Sequence, residues 1–210
     1  MVNRIIIFII IIPLPSIKMT NFNIEDSWSK LFTNGTQPVH QAAFEFASNG
    51  AQSGCDNCKA LLAVCLYYGC GCPKNVDEAL ILAKESADQG NKYGHLIYGR
   101  ILYWKYGESR ATAIQHYIIS AKMGLNEALL SIGSIYMGGI YLPMDKKRGL
   151  ELVMKAADQK HGPAYDQLGK CYEFGDGVPV NKSEARKWYQ LAVEAGFTFS
   201  QKGLDRLRDS

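Results

Sequence analysis

The chain has no long run of lysine or arginine. Its formal net charge is only +3, and its basic residues are scattered among acidic ones. A dedicated nucleic-acid surface needs a clustered phosphate-binding patch, so this pattern argues against nucleic acid as a partner. The chain also lacks an apolar stretch of about 20 residues, the length a helix needs to cross a bilayer. The run Ile5-Ile6-Ile7-Phe8-Ile9-Ile10-Ile11-Ile12 is too short for that. Histidine is scarce: His40, His95, His116 and His161 form no His-x-x-x-His pair. None of them neighbours a serine or cysteine in a triad arrangement. Ser27-Trp28-Ser29-Lys30 fits the Ser-x-x-Lys pattern of penicillin-recognising enzymes, but the companion Ser-Asp-Asn and Lys-Thr-Gly motifs are missing. The plainer reading of that segment is an amphipathic capping helix with Trp28 and Leu31 inside.

Six cysteines are present. They suffice for three disulfides in an exported protein, but their placement suggests mostly buried thiols. A helix between Cys55-x-x-Cys58 and Cys70-x-Cys72 holds the two pairs about 18 Å apart. A tetrahedral metal with bonds near ~2.3 Å cannot bridge that gap. Cys65 and Cys171 take a repeat position that Ile101 and Ile135 fill elsewhere, so both are expected in the core. Neither a metal nor a cofactor is expected.

Residues 1–20 stand apart. Arg4, the isoleucine run and Pro13-Leu14-Pro15 resemble a secretory signal, although no small-x-small pair precedes Lys18. In the rival reading Met19 is the true start and the isoleucine run a translation artefact; Asn23, the first plausible helix cap, follows closely. The first reading implies export or a periplasmic site after removal of residues 1–18. The second implies the cytoplasm. Membrane contact is expected only through such a signal or anchor. Asn34-Gly35-Thr36 and Asn181-Lys182-Ser183 are glycosylation triplets only in a secreted chain.

What is abundant is self-similarity. Cys58, Gly94, Ala128 and Ala164 hold one equivalent position, spaced 36, 34 and 36 residues apart. Five positions on come Ala63, Gly99, Gly133 and Gly169; eight positions on come Leu66, Leu102, Tyr136 and Tyr172. Apolar residues at three- and four-residue steps make this stretch a helix. A glycine-rich loop ends it: Gly69-Cys70-Gly71-Cys72-Pro73 in the first unit, Gly175-Asp176-Gly177-Val178-Pro179 in the fourth. These glycines close a helix, whereas a phosphate cradle opens one. The third unit keeps Gly139 and Pro143. The second is two residues shorter and keeps only Gly107. Asn75, Ser109, Asp145 and Asn181 then cap a second helix, and Glu78 and Glu184 stand where a capping box prefers an acid. Ala79, Ala113, Gly149 and Ala185 follow four residues past each cap. Glycine inside a helix costs about 1 kcal/mol relative to alanine. Its recurrence in one register predicts helices that approach closely.

The periodicity predicts helix pairs at 57–68/76–89, 93–106/109–123, 127–137/145–159 and 163–174/182–195. A degenerate pair at 24–33/38–49 precedes them and a polar capping helix at 199–208 ends the chain. The organisation is thus residues 21–50 as an N-terminal cap, four repeats across 51–196 (57–90, 93–124, 127–160 and 163–196) and 197–210 as a C-terminal cap. Terminal units of a solenoid are expected to deviate in this way.

Ala164, Leu168-Gly169, Tyr172, Gly175-Asp176-Gly177-Val178, Ala185, Trp188, Ala192 and Gly196 closely resemble a Sel-1-like repeat, a relative of the tetratricopeptide repeat. The first and third units resemble it well; the second departs in its loop. The resemblance covers residues 39–200. It implies an all-α, right-handed α-solenoid of helix-turn-helix repeats that acts as an adaptor, but no one activity; with no catalytic constellation in the sequence, a non-catalytic protein-binding scaffold is expected. The regular paired cysteines of the secreted, cysteine-rich branch are missing. Aligned on these relatives, the first helices present one stripe: Ala60, Val64, Tyr67, Tyr68; Leu96, Arg100, Tyr103, Trp104; Leu130, Ser134, Met137; Asp166, Lys170, Glu173, Phe174. Solenoids bind extended ligands on such a concave strip, and Tyr, Trp, Met and Arg are enriched at interfaces. The expected partner-binding residues are Tyr67, Arg100, Tyr103, Trp104, Met137, Lys170 and Phe174, for a protein or peptide ligand. Tyr68, Trp104 and Phe174 have a competing assignment, packing into the next repeat. An immunity-type inhibitor of one toxin or enzyme is the alternative function, and a penicillin-recognising hydrolase a further one.

Overall fold

The computed structural model describes residues 37–105, 109–139 and 141–208. Residues 1–20, the expected helix at 24–33 and Ser27 lie outside them. The chain is an all-α, right-handed solenoid, and no strand occurs among the described residues. Helix α1 (Gln37–Gln52) leads into four antiparallel pairs: α2 (Asp56–Tyr68) with α3 (Val76–Asp88), α4 (Lys92–Lys105) with α5 (Arg110–Lys122), α6 (Asn126–Gly138) with α7 (Lys146–Ala157), and α8 (Gly162–Phe174) with α9 (Lys182–Glu194). A 3-10 turn (Thr198–Ser200) and α10 (Gln201–Arg208) close the array.

Three pairs are closed by the same bond. The amide of the cap residue donates to the carbonyl at the eighth repeat position: Asn75 to Leu66 at 2.9 Å, Asp145 to Tyr136 at 2.9 Å, Asn181 to Tyr172 at 2.8 Å. Each cap side chain then accepts from the amide three residues on, at 3.2 Å (Glu78), 2.9 Å (Arg148) and 3.1 Å (Glu184). The cap amide is therefore already used, and Glu78 accepts instead from the Asn75 side-chain amide at 2.8 Å. The expected cap at Ser109 makes no side-chain bond. Its loop is shorter, and Ser109 sits at φ −95°, ψ 15°, in a turn conformation and not the extended one that aims a hydroxyl at the first-turn amides. The first helices of the first, third and fourth units end on left-handed glycines, Gly69, Gly139 and Gly175. At the ends of the second helices Gly90, Gly124 and Gly196 do likewise, and Lys160 adopts the same turn at φ 58° without being glycine.

Within a pair the helices cross on small residues. A Cβ at Gly99 would lie 3.0 Å from the Ala113 carbonyl, and one at Gly133 would lie 3.0 Å from the Gly149 carbonyl. In the first unit Ala63 and Ala79 are both fully buried. At Gly169 a Cβ would meet the Tyr189 ring at 2.6 Å. Pairs stack by the same device: Gly94 backs onto the last turn of α3, where a Cβ would be 2.5 Å from the Ala87 amide nitrogen. The resulting core runs unbroken from Ala43 in α1 to Ile135 in α6. It continues through Val153 and Leu168 to Cys171, and a last cluster of Ala185, Tyr189 and Leu207 seats α10.

Gly169→Leu should therefore destabilise the chain by at least about 1–3 kcal/mol, because the Tyr189 ring it would displace is fully packed. Urea denaturation followed by circular dichroism reads this directly. An unchanged midpoint would contradict the close-approach packing.

Candidate functional site

The stripe on the first helices divides in two. Ala60, Val64 and Leu96 are fully buried, because α2 packs directly on α4 and closes the strip there. The residues one to two turns further on stay at the surface. Tyr67 is half-buried, stacked edge-on to Tyr68 with centroids 4.7 Å apart and lying under Lys74. Burial raises the Tyr67 phenol above its ordinary value. Met137 points inward, 9% exposed, because Gly149 leaves a space that its Cγ fills.

At the far end the chain covers its own stripe. Arg206 of α10 grips Glu173 through two bonds of 2.5 and 2.6 Å, and the Tyr189 hydroxyl donates to the same carboxylate at 2.6 Å. The Arg206 guanidinium holds that carboxyl below its ordinary range and lies 5.6 Å from the centre of the Phe174 ring. Asp166 accepts from Ser200 at 2.6 Å and pairs with Lys170 at 2.6 Å. Lys170 and Phe174 remain exposed, yet their neighbours are engaged with the C-terminal cap.

The middle is open. Arg100, Tyr103 and Trp104 of α4, Tyr117 of α5, and Ser131, Ser134 and Ile135 of α6 line a cleft of about 370 Å³. Three of the seven expected binding residues thus meet in one place. Trp104 is 72% exposed, the most exposed large hydrophobic residue among those described. Tyr103 braces it edge-on at 5.3 Å and also meets Tyr117 at 6.2 Å and Tyr141 at 6.1 Å. Arg110 lies over the Tyr103 and Tyr141 rings at 5.8 and 4.7 Å and donates to the Tyr103 carbonyl at 3.3 Å. Arg100 donates to the Tyr68 hydroxyl at 3.0 Å. The competing assignment of Trp104 and Phe174 to inter-repeat packing does not fit their exposures of 72% and 61%. Tyr141 was not legible as part of this cluster, because it lies in the loop before α7 and reaches α4 only through the fold.

No cysteine is bonded to another: Cys58, Cys65 and Cys171 are buried, and Cys55 is exposed. Burial pushes the Cys65 thiol up to about 12 and Cys171 to about 11. The Cys55 sulfur caps α2, accepting from the Cys58 amide at 3.4 Å. Among the described residues no three His, Cys, Asp or Glu side chains converge as metal ligands, and no described helix is long and apolar enough to cross a membrane.

One constellation escaped the sequence reading. His95 of α4 and His116 of α5 approach Nδ1 to Nδ1 at 2.8 Å, with Tyr98 edge-on to His116 at 4.8 Å. Burial lowers both imidazoles, and His95 lowers His116 further. From α3, Asp88 opposes that effect on both rings and Lys84 reinforces it on His116. No sequence signal links two histidines 21 positions apart on different helices.

The family comparison agrees with this architecture. The Sel1 repeat model matches residues 58–91, 126–161 and 162–197, and the chain belongs to that family. The matched segments leave out the second pair, the one with the short loop. The chain is 28% identical over 173 residues to mouse (Mus musculus) DAP3-binding cell death enhancer 1, covering 80% of this chain and 33% of that protein. It therefore spans about a third of that relative's length. Among solved structures it is similar to a Sel1 repeat protein from Oxalobacter formigenes (TM-score 0.64, 25% identity, 78% of this chain and 66% of that one). It also shares the fold of immunity protein Pa5087 from Pseudomonas aeruginosa (TM-score 0.61, 22% identity, 84% and 66%). Sel1 repeat proteins are typically protein-interaction scaffolds and generally non-catalytic.

Two outcomes follow from the buried titratable groups. In native protein iodoacetamide should modify Cys55 first and Cys70 more slowly, whereas Cys65 and Cys171 react only after unfolding. Peptide mass mapping reads this, and native labelling of Cys65 or Cys171 at the Cys55 rate would contradict it. The histidine pair fixes a pH dependence. Folded imidazoles with lowered values bind protons less readily than unfolded ones, whose value is near ~6.5. Their stabilisation is thus complete above about pH 6.5 and is lost as the pH falls through the lowered folded values. The melting temperature should drop from pH 7 to pH 5 in the native chain and drop less in His95→Gln/His116→Gln. Equal slopes would contradict this.

Proposed function

We propose that this chain is a non-catalytic scaffold that binds an extended protein or peptide segment on the face formed by its first helices, centred on the cleft between α4 and α6. The observation that carries the reading is the concentration of exposed and half-buried aromatics there. Trp104 stands in solvent on a base of Tyr103, Tyr117 and Tyr141. Keeping a large indole 72% exposed is unfavourable in a free chain and favourable once a partner covers it. Aromatic residues set on a rigid base lose little side-chain entropy on binding, which is why they dominate interface energetics. The name of the mouse relative describes a protein that binds another protein, which is the same class of activity. Tyr67 extends the surface toward α2 and Lys170 with Phe174 toward α8. Met137 supports it from beneath.

An immunity-type inhibitor would use the same face, and the shared fold with the P. aeruginosa protein keeps that second reading in play. It predicts one protein partner held near nanomolar affinity, whereas an adaptor binds more weakly.

Peptides selected from a phage-displayed random dodecapeptide library on the full chain provide the test. Trp104→Ala should weaken a selected peptide by at least about 2 kcal/mol with little change in melting temperature. Ile81→Ala, an exposed position on α3, should leave binding within about 0.5 kcal/mol. Arg100→Ala with Tyr103→Ala should also abolish binding, but both side chains brace neighbours, so Trp104→Ala is the cleaner probe. Binding that survives all of these changes would overturn the reading.

A further inference from the structure

The cleft contains a cation that forms no ion pair with any carboxylate among the described residues. Arg100 is partly buried at its base, where its hydrogen bond goes to a neutral phenol, Tyr68, at 3.0 Å. The Tyr117 phenol, 3% exposed, lies close enough for the guanidinium to act on it. Among the described residues no carboxylate forms an ion pair with Arg100, although the charge of Glu127 of α6 favours its charged form. The equivalent residue of the fourth unit makes the contrast: Lys170 pairs with Asp166 at 2.6 Å. Lys59 is likewise paired with Glu85 at 3.1 Å, and Arg206 with Glu173.

A guanidinium drawn out of bulk water loses hydration, and an ion pair or charge-assisted hydrogen bonds must make that good. A phenol oxygen accepting from the guanidinium offsets little of that cost, because it carries no charge. Arginine also presents a planar fork of five donors, and its bonds to the Tyr68 and Tyr117 phenols leave other N–H groups free to receive carboxylate oxygens. The cleft lining beside it includes apolar groups (Trp104, Tyr103, Ile135) and hydroxyls (Ser134, and Ser131 donating to the Glu127 carbonyl at 2.7 Å). Arg110 adds a second positive charge on the Tyr103–Tyr141 side. The cleft, about 370 Å³, has room for side chains and not for a folded domain.

We propose that this cleft captures an aspartate or glutamate of an extended partner peptide on Arg100, with the adjacent large apolar side chain of that peptide laid against Trp104 and Tyr103. The inference rests on the scaffold reading above and adds the chemistry of the ligand. Aromatics alone would accept any apolar segment; the arginine selects those carrying negative charge.

The same random dodecapeptide library separates the two claims. On the native chain, enriched peptides should carry Asp or Glu next to Phe, Leu, Ile, Met, Trp or Tyr. Their affinity should fall as salt rises, since exposed charge attraction is screened. Replacing that acid by its amide, Glu→Gln or Asp→Asn in the synthetic peptide, should weaken binding about 10-fold or more, consistent with loss of a charge-assisted pair. Arg100→Gln should remove the preference for acids while leaving the apolar preference. Ser134→Glu keeps Arg100 but places a competing carboxylate in the cleft, and it too should reject acidic peptides; it decides the matter if Arg100→Gln fails to fold. Enriched peptides that are sensitive to Trp104→Ala yet carry no acid, or that Ser134→Glu binds unchanged, would overturn this inference and leave the scaffold reading intact. No enrichment at all, or enrichment insensitive to Trp104→Ala, would overturn both.

Discussion

Backbone-to-backbone contact between paired helices is the constraint on which the rest of this molecule depends. At Gly133 and Gly149 nothing larger than hydrogen separates one helix from the carbonyls of the other. Gly99 against Ala113, and Ala63 with Ala79, hold the same place in other pairs. Axes drawn this close leave only one rotational setting in which the flanking Leu, Ile and Tyr side chains fit, so each crossing fixes the faces of both helices. The loop bond from cap amide to eighth-position carbonyl then fixes their offset along the axis. A repeat that satisfies both conditions reproduces the same surface every time it occurs.

The surface becomes specific where the repeats differ. In the first pair the stripe is apolar and α2 covers it with α4. In the fourth it is charged, and α10 occupies it through Glu173 and Arg206. Between α4 and α6 polar, aromatic and small residues alternate, and neither a neighbouring helix nor a cap fills the space. Gly99 matters twice in this arrangement. A side chain there would press on Tyr117 at 3.3 Å, and Tyr117 is part of the cleft wall. Packing of the frame and shape of the cleft are therefore set by the same contact.

Nearly all of the frame was legible in the sequence. The periodicity placed the ends of the eight repeat helices within two residues of those observed, because caps, left-handed turns and small crossing positions are local signals that repeat. The candidate site was legible in part. Arg100, Tyr103 and Trp104 could be placed on one face by helical spacing and do line one cleft. Met137 has the same spacing but turns inward, because the space over Gly149 is a property of two helices together. The burial of Ala60, Val64 and Leu96 depends on how closely α2 and α4 stack, which no single repeat encodes. Ser109 matched the cap position in alignment and lost the bond through a shortened loop. Tyr141 and the His95–His116 contact join residues far apart in sequence and carry no motif at all.

Hydroxyl-radical footprinting with mass spectrometry, in the absence and presence of a saturating selected peptide, tests the central claim most directly, since it asks which side chains a ligand covers. Protection of Trp104, Tyr103 and Tyr141, with unchanged oxidation of Met154 on α7 and Met123 after α5, is the result this account predicts. Protection of Met154 and Met123 with Trp104 left as reactive as before would contradict it, placing the binding surface on the second helices.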